Sequence, residues 1–198
     1  GGKEPLLADI FLPPIEESNR PAILFVHGGG WIEGDRFQLR GYGILLARLG
    51  FVTMCNSYRL SNEAHWPAQI QDVKCAIRYL RANAQKLGID PERIGVSGNS
   101  AGGHLSLMAA ATSYDDSFEG DGGNNDVSSK VKATCAIYPP TTIRQLDFDP
   151  LENAYAMLMG SEASEEDYKK ASPMNYVSQD FPPCMLVHGS TDSVVPLK

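Results

Sequence analysis

The chain has 198 residues, of which 42% are hydrophobic and 21% charged, with 19 Gly and 13 Pro. That length suits one α/β domain better than two, and the composition excludes a disordered, collagen-like or coiled-coil chain. Lys plus Arg number 17 against 24 Asp plus Glu, a formal net charge of -7, which argues against nucleic-acid binding because a phosphate backbone needs a basic face. No apolar run approaches the ~18 residues of a membrane span, so a soluble chain is expected. The first residues are Gly1-Gly2 and not Met, which leaves the compartment, cytoplasmic or secreted, unread.

In chain order, Leu6 to Leu12 alternates and ends at Pro13-Pro14, predicting a short strand and a turn. Ala22-Ile23-Leu24-Phe25-Val26 is a continuous apolar run stopped by His27-Gly28-Gly29-Gly30. Such a run, bounded by breakers, is what a strand buried on both faces looks like. Tyr42 to Leu49 has helical spacing, and Phe51 to Cys55 reads as a second buried strand. A helix starts at Pro67 and sets Ile70, Val73, Ile77, Leu80, Ala84 and Leu87 on one stripe before Gly88 closes it. Its polar face holds Lys74, Arg78, Arg81 and Lys86. Arg93 to Ser97 is a strand, Ser100 to Thr112 a small-residue helix, Asp115 to Ser129 a solvated Gly/Asn/Asp-rich loop without a calcium-ligand pattern, and Val131 to Tyr138 a strand. Leu151 to Met159 reads as a helix and Cys184 to His188 as the last strand. Alternation throughout predicts an α/β fold with one parallel sheet and helices on both faces.

The cysteines, Cys55, Cys75, Cys135 and Cys184, fall in predicted strands and helices with no CxxC pair, and read as four free buried thiols ahead of a disulfide or a metal site. His27, His65, His104 and His188 make no metal-ligand spacing either. No cofactor and no metal are expected.

Gly98-Asn99-Ser100-Ala101-Gly102 matches G-x-S-x-G at a strand-to-helix junction, where a sharp turn projects a serine hydroxyl at the end of a sheet. The alternative is an ordinary Gly-rich turn. The second motif, His27-Gly28-Gly29-Gly30-Trp31, follows the first buried strand and frees backbone N–H groups to converge on one point. Acyl transfer develops a negative oxygen there, each preorganised donor contributing ~3 kcal/mol. The donors are assigned to Gly29, Gly30 and Ala101, the residue after the serine. His27 sits in the turn and reads as structural. The third motif, His188-Gly189-Ser190-Thr191-Asp192, ends the last strand and offers Asp192 as the acid that orients a triad imidazole; Asp149 competes for that role. Trp31, Tyr58 and Trp66 are candidate pocket linings, with ordinary packing as the alternative.

His27 to Trp31, Tyr58-Arg59-Leu60, Trp66 to Val73, Gly98 to His104 and His188 to Pro196 together resemble the α/β-hydrolase superfamily. Within it they are most similar to the bacterial acetyl-xylan and feruloyl esterase-like (BD-FAE) branch of the esterases and lipases related to hormone-sensitive lipase. The resemblance implies one domain over residues 1–198 and hydrolysis of small acetyl or aryl esters, in particular of carbohydrate, through an acyl-enzyme on Ser100. An arylformamidase-like amide hydrolase would use the same constellation. Pro139-Pro140-Thr141-Thr142 stands where relatives often have a Gly-Pro-Thr-Asp-like turn. In this superfamily the order is serine, acid, histidine, and no histidine follows Asp192; His65 is the substitute considered. The expectation is therefore a domain lacking its last strand and helix, ~20 residues or more, a weak catalyst or none as it stands. Its exposed sheet edge would pair with a second copy.

Overall fold

The computed structural model describes residues 5–15, 17–144 and 151–197. The short edge strand β1 (Ala8–Phe11) is followed by β2 (Arg20–Val26), whose last three residues are fully covered. Helix α1 (Arg40–Arg48) leads into β3 (Val52–Asn56), buried along its whole length. The long helix α2 (Ala68–Ala82) and the single turn α3 (Ala84–Leu87) precede β4 (Ile89–Asn99), and α4 (Ala101–Ala111) follows it after one residue. Then come β5 (Ala133–Ile137), α5 (Glu152–Met159), α6 (Glu165–Lys170) and β6 (Cys184–Val187).

The described strands form one sheet in the order β1-β3-β2-β4-β5-β6, parallel except for β1. Because side chains alternate along a strand, β2 divides its residues between two cores. Ala22, Leu24 and Val26 meet α2 and α4, with Val73, Ile77, Leu80, Leu105 and Met108 closing the larger core. Phe25 turns to the opposite face and joins Leu39 and Cys55, with Ile23 and Leu46 packed against them. On that second face no described helix covers β4 to β6. Ile23, Gly95, Ser97, Cys135 and Met185 line an apolar groove there of about 750 Å³, and all four residues of β6 are exposed.

Three expectations change. The stripe from Ile70 to Leu87 is two helices, not one, because Asn83 caps α2 with its backbone and side-chain amides both on Tyr79 O. Lys74 and Arg78, read as part of a polar face, are 0% and 1% exposed. The loop after α4 folds over them: Glu119 binds both cations, and Phe118 and Ser129 are buried beside it. The cysteines are all free, but only Cys55 is buried; Cys75 and Cys135 are half-buried, and Cys184 is exposed because β6 is an edge strand. No described helix is long and apolar enough to cross a membrane.

Candidate active site

Parallel strands β2 and β4 are neighbours and end together, with Val26 paired to Gly98. The loops that leave their carboxyl ends therefore meet, and these are the two glycine motifs. Ser100 occupies the single residue between β4 and α4 at φ 51° and ψ -120°, a strained conformation for a residue with a side chain. The surroundings hold it there: its N–H donates to Ile137 O at 2.9 Å, and its carbonyl accepts from His104 N at 2.9 Å as α4 begins. The turn fits only because its glycines lack side chains. A Cβ on Gly98 would stand 2.4 Å from Gly102 O, and one on Gly102 would stand 2.0 Å from Val26 O.

The second loop lies against this turn. A Cβ on Gly28 would come within 2.9 Å of Asn99 O and 3.3 Å of Ser100 Cβ, so the two backbones touch. Gly29, at φ 111°, turns the chain back, its carbonyl accepting from Ile32 N and Glu33 N. Gln38 Oε1 receives Gly28 N at 2.7 Å, and Trp31 O receives Ser61 N at 2.8 Å. Tyr58 donates to His27 O at 3.0 Å and stacks on the His27 ring at 4.2 Å. Its neighbour Arg59 grips Asp72 on α2 through Nε and Nη2, both at 2.8 Å. Among the described residues, no protein acceptor takes the N–H of Gly29, Gly30 or Ala101. Two of these N–H groups lie in the loop packed against the Ser100 turn, and the third opens α4, where the helix dipole favours negative charge.

Asp192 lies in the loop after β6, the strand two places along the sheet from β4. Its Oδ1 accepts from Val194 N and Val195 N, both at 2.9 Å. Those bonds, Val195's foremost, hold the carboxyl below its usual range, so it is ionised near neutrality. His188 donates from Nε2 to Val195 O at 2.6 Å and lies 3.8 Å from Asp192 Oδ2, closing the loop. The competing acid, Asp149, lies outside the described residues.

The other histidines are committed elsewhere. His27 Nδ1 donates to Gly28 O at 2.8 Å, and burial keeps the ring neutral. His104 is fully buried, donates from Nε2 to Ala171 O at 2.7 Å, and is pushed down to about 4 by burial. His65 donates from Nδ1 to Met157 O at 2.9 Å. Among the described residues no imidazole is hydrogen-bonded to Ser100 Oγ, so His65 is not brought to it. The described residues also hold no cluster of three metal-ligating side chains.

Two candidate pocket residues are core instead. Trp31 is 0% exposed, edge-on to His104 at 5.1 Å, and Tyr58 is 2% exposed. Their position within motifs suggested contact with ligand, but they hold the motif loops from beneath. Trp66 is half-buried and lines a separate cavity. What sequence reasoning missed is the cleft beside Asp192, about 300 Å³, bounded by Pro139, Thr142, Arg144, Tyr155 and Val195. The Pro139-Pro140 departure was its only sign.

Known proteins share the chain's sequence pattern and fold. A family model described as BD-FAE matches residues 8–198. Esterase LipC of Mycobacterium tuberculosis is 36% identical over 189 residues, covering 90% of this chain and 46% of LipC. Arylacetamide deacetylase of Oryctolagus cuniculus is 39% identical over 136 residues, 66% of this chain and 31% of its own. A solved structure described as a truncated form of carbohydrate esterase from gut microbiota superposes with a TM-score of 0.82 at 34% identity, covering 96% of this chain and 73% of that one. The chain thus spans about half the length, or less, of the curated relatives it matches.

Proposed function

We propose, since the chain belongs to the BD-FAE family of α/β-hydrolases, that it carries the nucleophile, acid and oxyanion donors of a serine carboxylester hydrolase acting on small acyl esters of carbohydrate. The observation that carries this reading is the strained Ser100 set against three unclaimed backbone N–H groups. Ser100 Oγ attacks the ester carbonyl carbon and gives its proton to a base. The carbonyl oxygen, now negative, accepts from Gly29, Gly30 and Ala101, and collapse expels the alcohol to leave an acyl-serine. Water then repeats the sequence and releases the acid. The donors together supply several kcal/mol, at ~3 kcal/mol each, and Asp192 orients and stabilises the protonated base.

The base itself is the imidazole that the described residues do not bring to Ser100. It comes from outside the described residues, since His27, His65, His104 and His188 are each held by a backbone carbonyl and a second copy would bring only the same four rings. The relatives' greater length and the uncovered apolar groove over β4 to β6 both support that reading. Lack of a triad imidazole costs about 10⁴ to 10⁶ in turnover and leaves ~10³ over water from the other groups.

The test compares the full-length protein with residues 1–198 on p-nitrophenyl acetate and on acetylated xylose. The full protein should turn over both and lose that activity with Ser100→Ala. Residues 1–198 should be slower by at least 10⁴. Equal rates from the Ser100→Ala variant would sink the assignment. Likeness to an arylacetamide deacetylase favours amide hydrolysis as a second reading, for which N-formylkynurenine is the discriminating substrate.

A further inference from the structure

A cavity of about 500 Å³ lies on the flank of the domain, lined by neither Ser100, Gly29, Gly30 nor Asp192. Three aromatic rings converge on it. Phe118 packs between Trp66 at 5.8 Å and Tyr176 at 6.3 Å, and the rings are inclined at 57° and 81°, so that they form a corner. Phe118 is buried, whereas Trp66 and Tyr176 are half-buried and keep part of their surface open. The corner is rigid: Tyr176 donates its hydroxyl to Lys170 O at 3.0 Å, and Trp66 N donates to Leu158 O at 2.8 Å.

Charge decides what the corner suits. Carboxylates of Asp115, Glu162 and Asp167 line the cavity, which disfavours an anion. Lys170 also lines it and offsets part of that charge. Asp115 and Asp167 are partly spent on Ser117 and Ser164. Glu162 meets only the Ser161 hydroxyl, at 3.4 Å, and Lys170 Nζ has no hydrogen-bond partner among the described residues. One acceptor and one donor of opposite sign beside an indole fit a neutral ring bearing hydroxyls on its edge and C–H groups on its face.

We propose that this cavity is a sugar-binding subsite, separate from Ser100, in which a pyranose packs on Trp66 and hydrogen-bonds Glu162 and Lys170. The choice of a sugar among neutral polyols rests on the carbohydrate-ester reading above. The subsite would tether a polysaccharide while an acyl group elsewhere on it reaches Ser100.

Xylotriose titrated into the protein tests this through the Trp66 indole N–H in NMR spectra, with the fully buried Trp31 as internal control. The Trp66 signal should move saturably with a Kd of about 1 mM, equally in Ser100→Ala. Glu162→Ala combined with Lys170→Ala, both exposed and so without effect on folding, should weaken binding at least tenfold. No saturable shift by about 10 mM, shifts confined to residues 28–31, or a response to tetramethylammonium in place of the sugar each overturn the proposal. Sugar binding by a full-length protein that shows no Ser100-dependent turnover would sink the catalytic reading alone; turnover without binding would sink only this one.

Discussion

Two helical glycines place propensity and packing in opposition. Gly41 lies in α1 and Gly102 in α4, and alanine at either position should gain about 1 kcal/mol of helix propensity. At Gly41 nothing lies within 4 Å of the added Cβ, so the gain is kept and Gly41→Ala should stabilise by about 0.5 to 1 kcal/mol. At Gly102 the Cβ would meet Val26 O at 2.0 Å and His27 O at 2.5 Å. Both are backbone atoms at the end of a central strand, and the nearer one falls about 1.4 Å short of the 3.4 Å of ordinary contact. No rotamer relieves this, so α4 must lift from β2 at the upper end of overpacking costs, ~3 kcal/mol. The net loss is about 2 kcal/mol, and urea unfolding should show Gly102→Ala about 1 M less resistant than the parent. Because the same displacement moves Ala101 away from Gly29 and Gly30, ester turnover by the full-length protein should fall even where the variant is folded. An unchanged or raised midpoint for Gly102→Ala would refute the close-approach argument, and destabilisation by Gly41→Ala would refute the propensity half.

Ser100→Gly removes the side chain that makes φ 51° costly, and should raise stability by about 1 kcal/mol in urea unfolding while abolishing any Ser100-dependent turnover. Glu119→Gln leaves Lys74 and Arg78, 0% and 1% exposed, without their counter-charge, and should cost about 3 kcal/mol or more; a loss under about 1 kcal/mol would mean that the loop carbonyls alone suffice. His104 titrates near 4 when folded against an ordinary 6.5, so between those values the unfolded chain binds more protons and stability falls as pH falls. The drop is about 3 kcal/mol from pH 6.5 to 4, with buried His27 acting in the same direction. His104→Gln, which can still donate to Ala171 O, should flatten that slope, and an unchanged pH profile would remove His104 as its source.

Legibility in the sequence followed how local each cause is. The apolar run at Ala22 to Val26 and the stop at His27 predict β2 because strand burial and breaker residues act over a few positions, and β2 ends at Val26. Ser100 was equally legible, since its strain and its glycines belong to one five-residue turn. Lys74 and Arg78 were misread because their burial depends on Glu119, more than 40 residues away, folding back over α2. Helical spacing shows that two cations share a face, but not that a loop will cover them. The same limit applied to Trp31 and Tyr58, whose motif positions said which loop they stabilise but not from which side.

The site divides along the same line. Oxyanion stabilisation would need backbone donors held rigid before substrate arrives, and the loops concerned start from neighbouring strand ends: β2 bears the Gly28 to Gly30 loop, pinned further by Gln38, Tyr58 and Ser61, β4 bears Ser100, and Ile137 of β5 fixes the Ser100 N–H. A triad acid would reach the serine from a loop far along the chain, as Asp192 would, 92 residues after Ser100 in the loop that follows β6. The acid half rests on the loop after β6, whose strand is exposed at the edge of the described sheet. The groove is lined by Phe51, Lys132 and Pro183, the residues just before β3, β5 and β6, whereas Asp192 follows the carboxyl end of β6, so covering the groove and placing a base beside Asp192 are separable requirements.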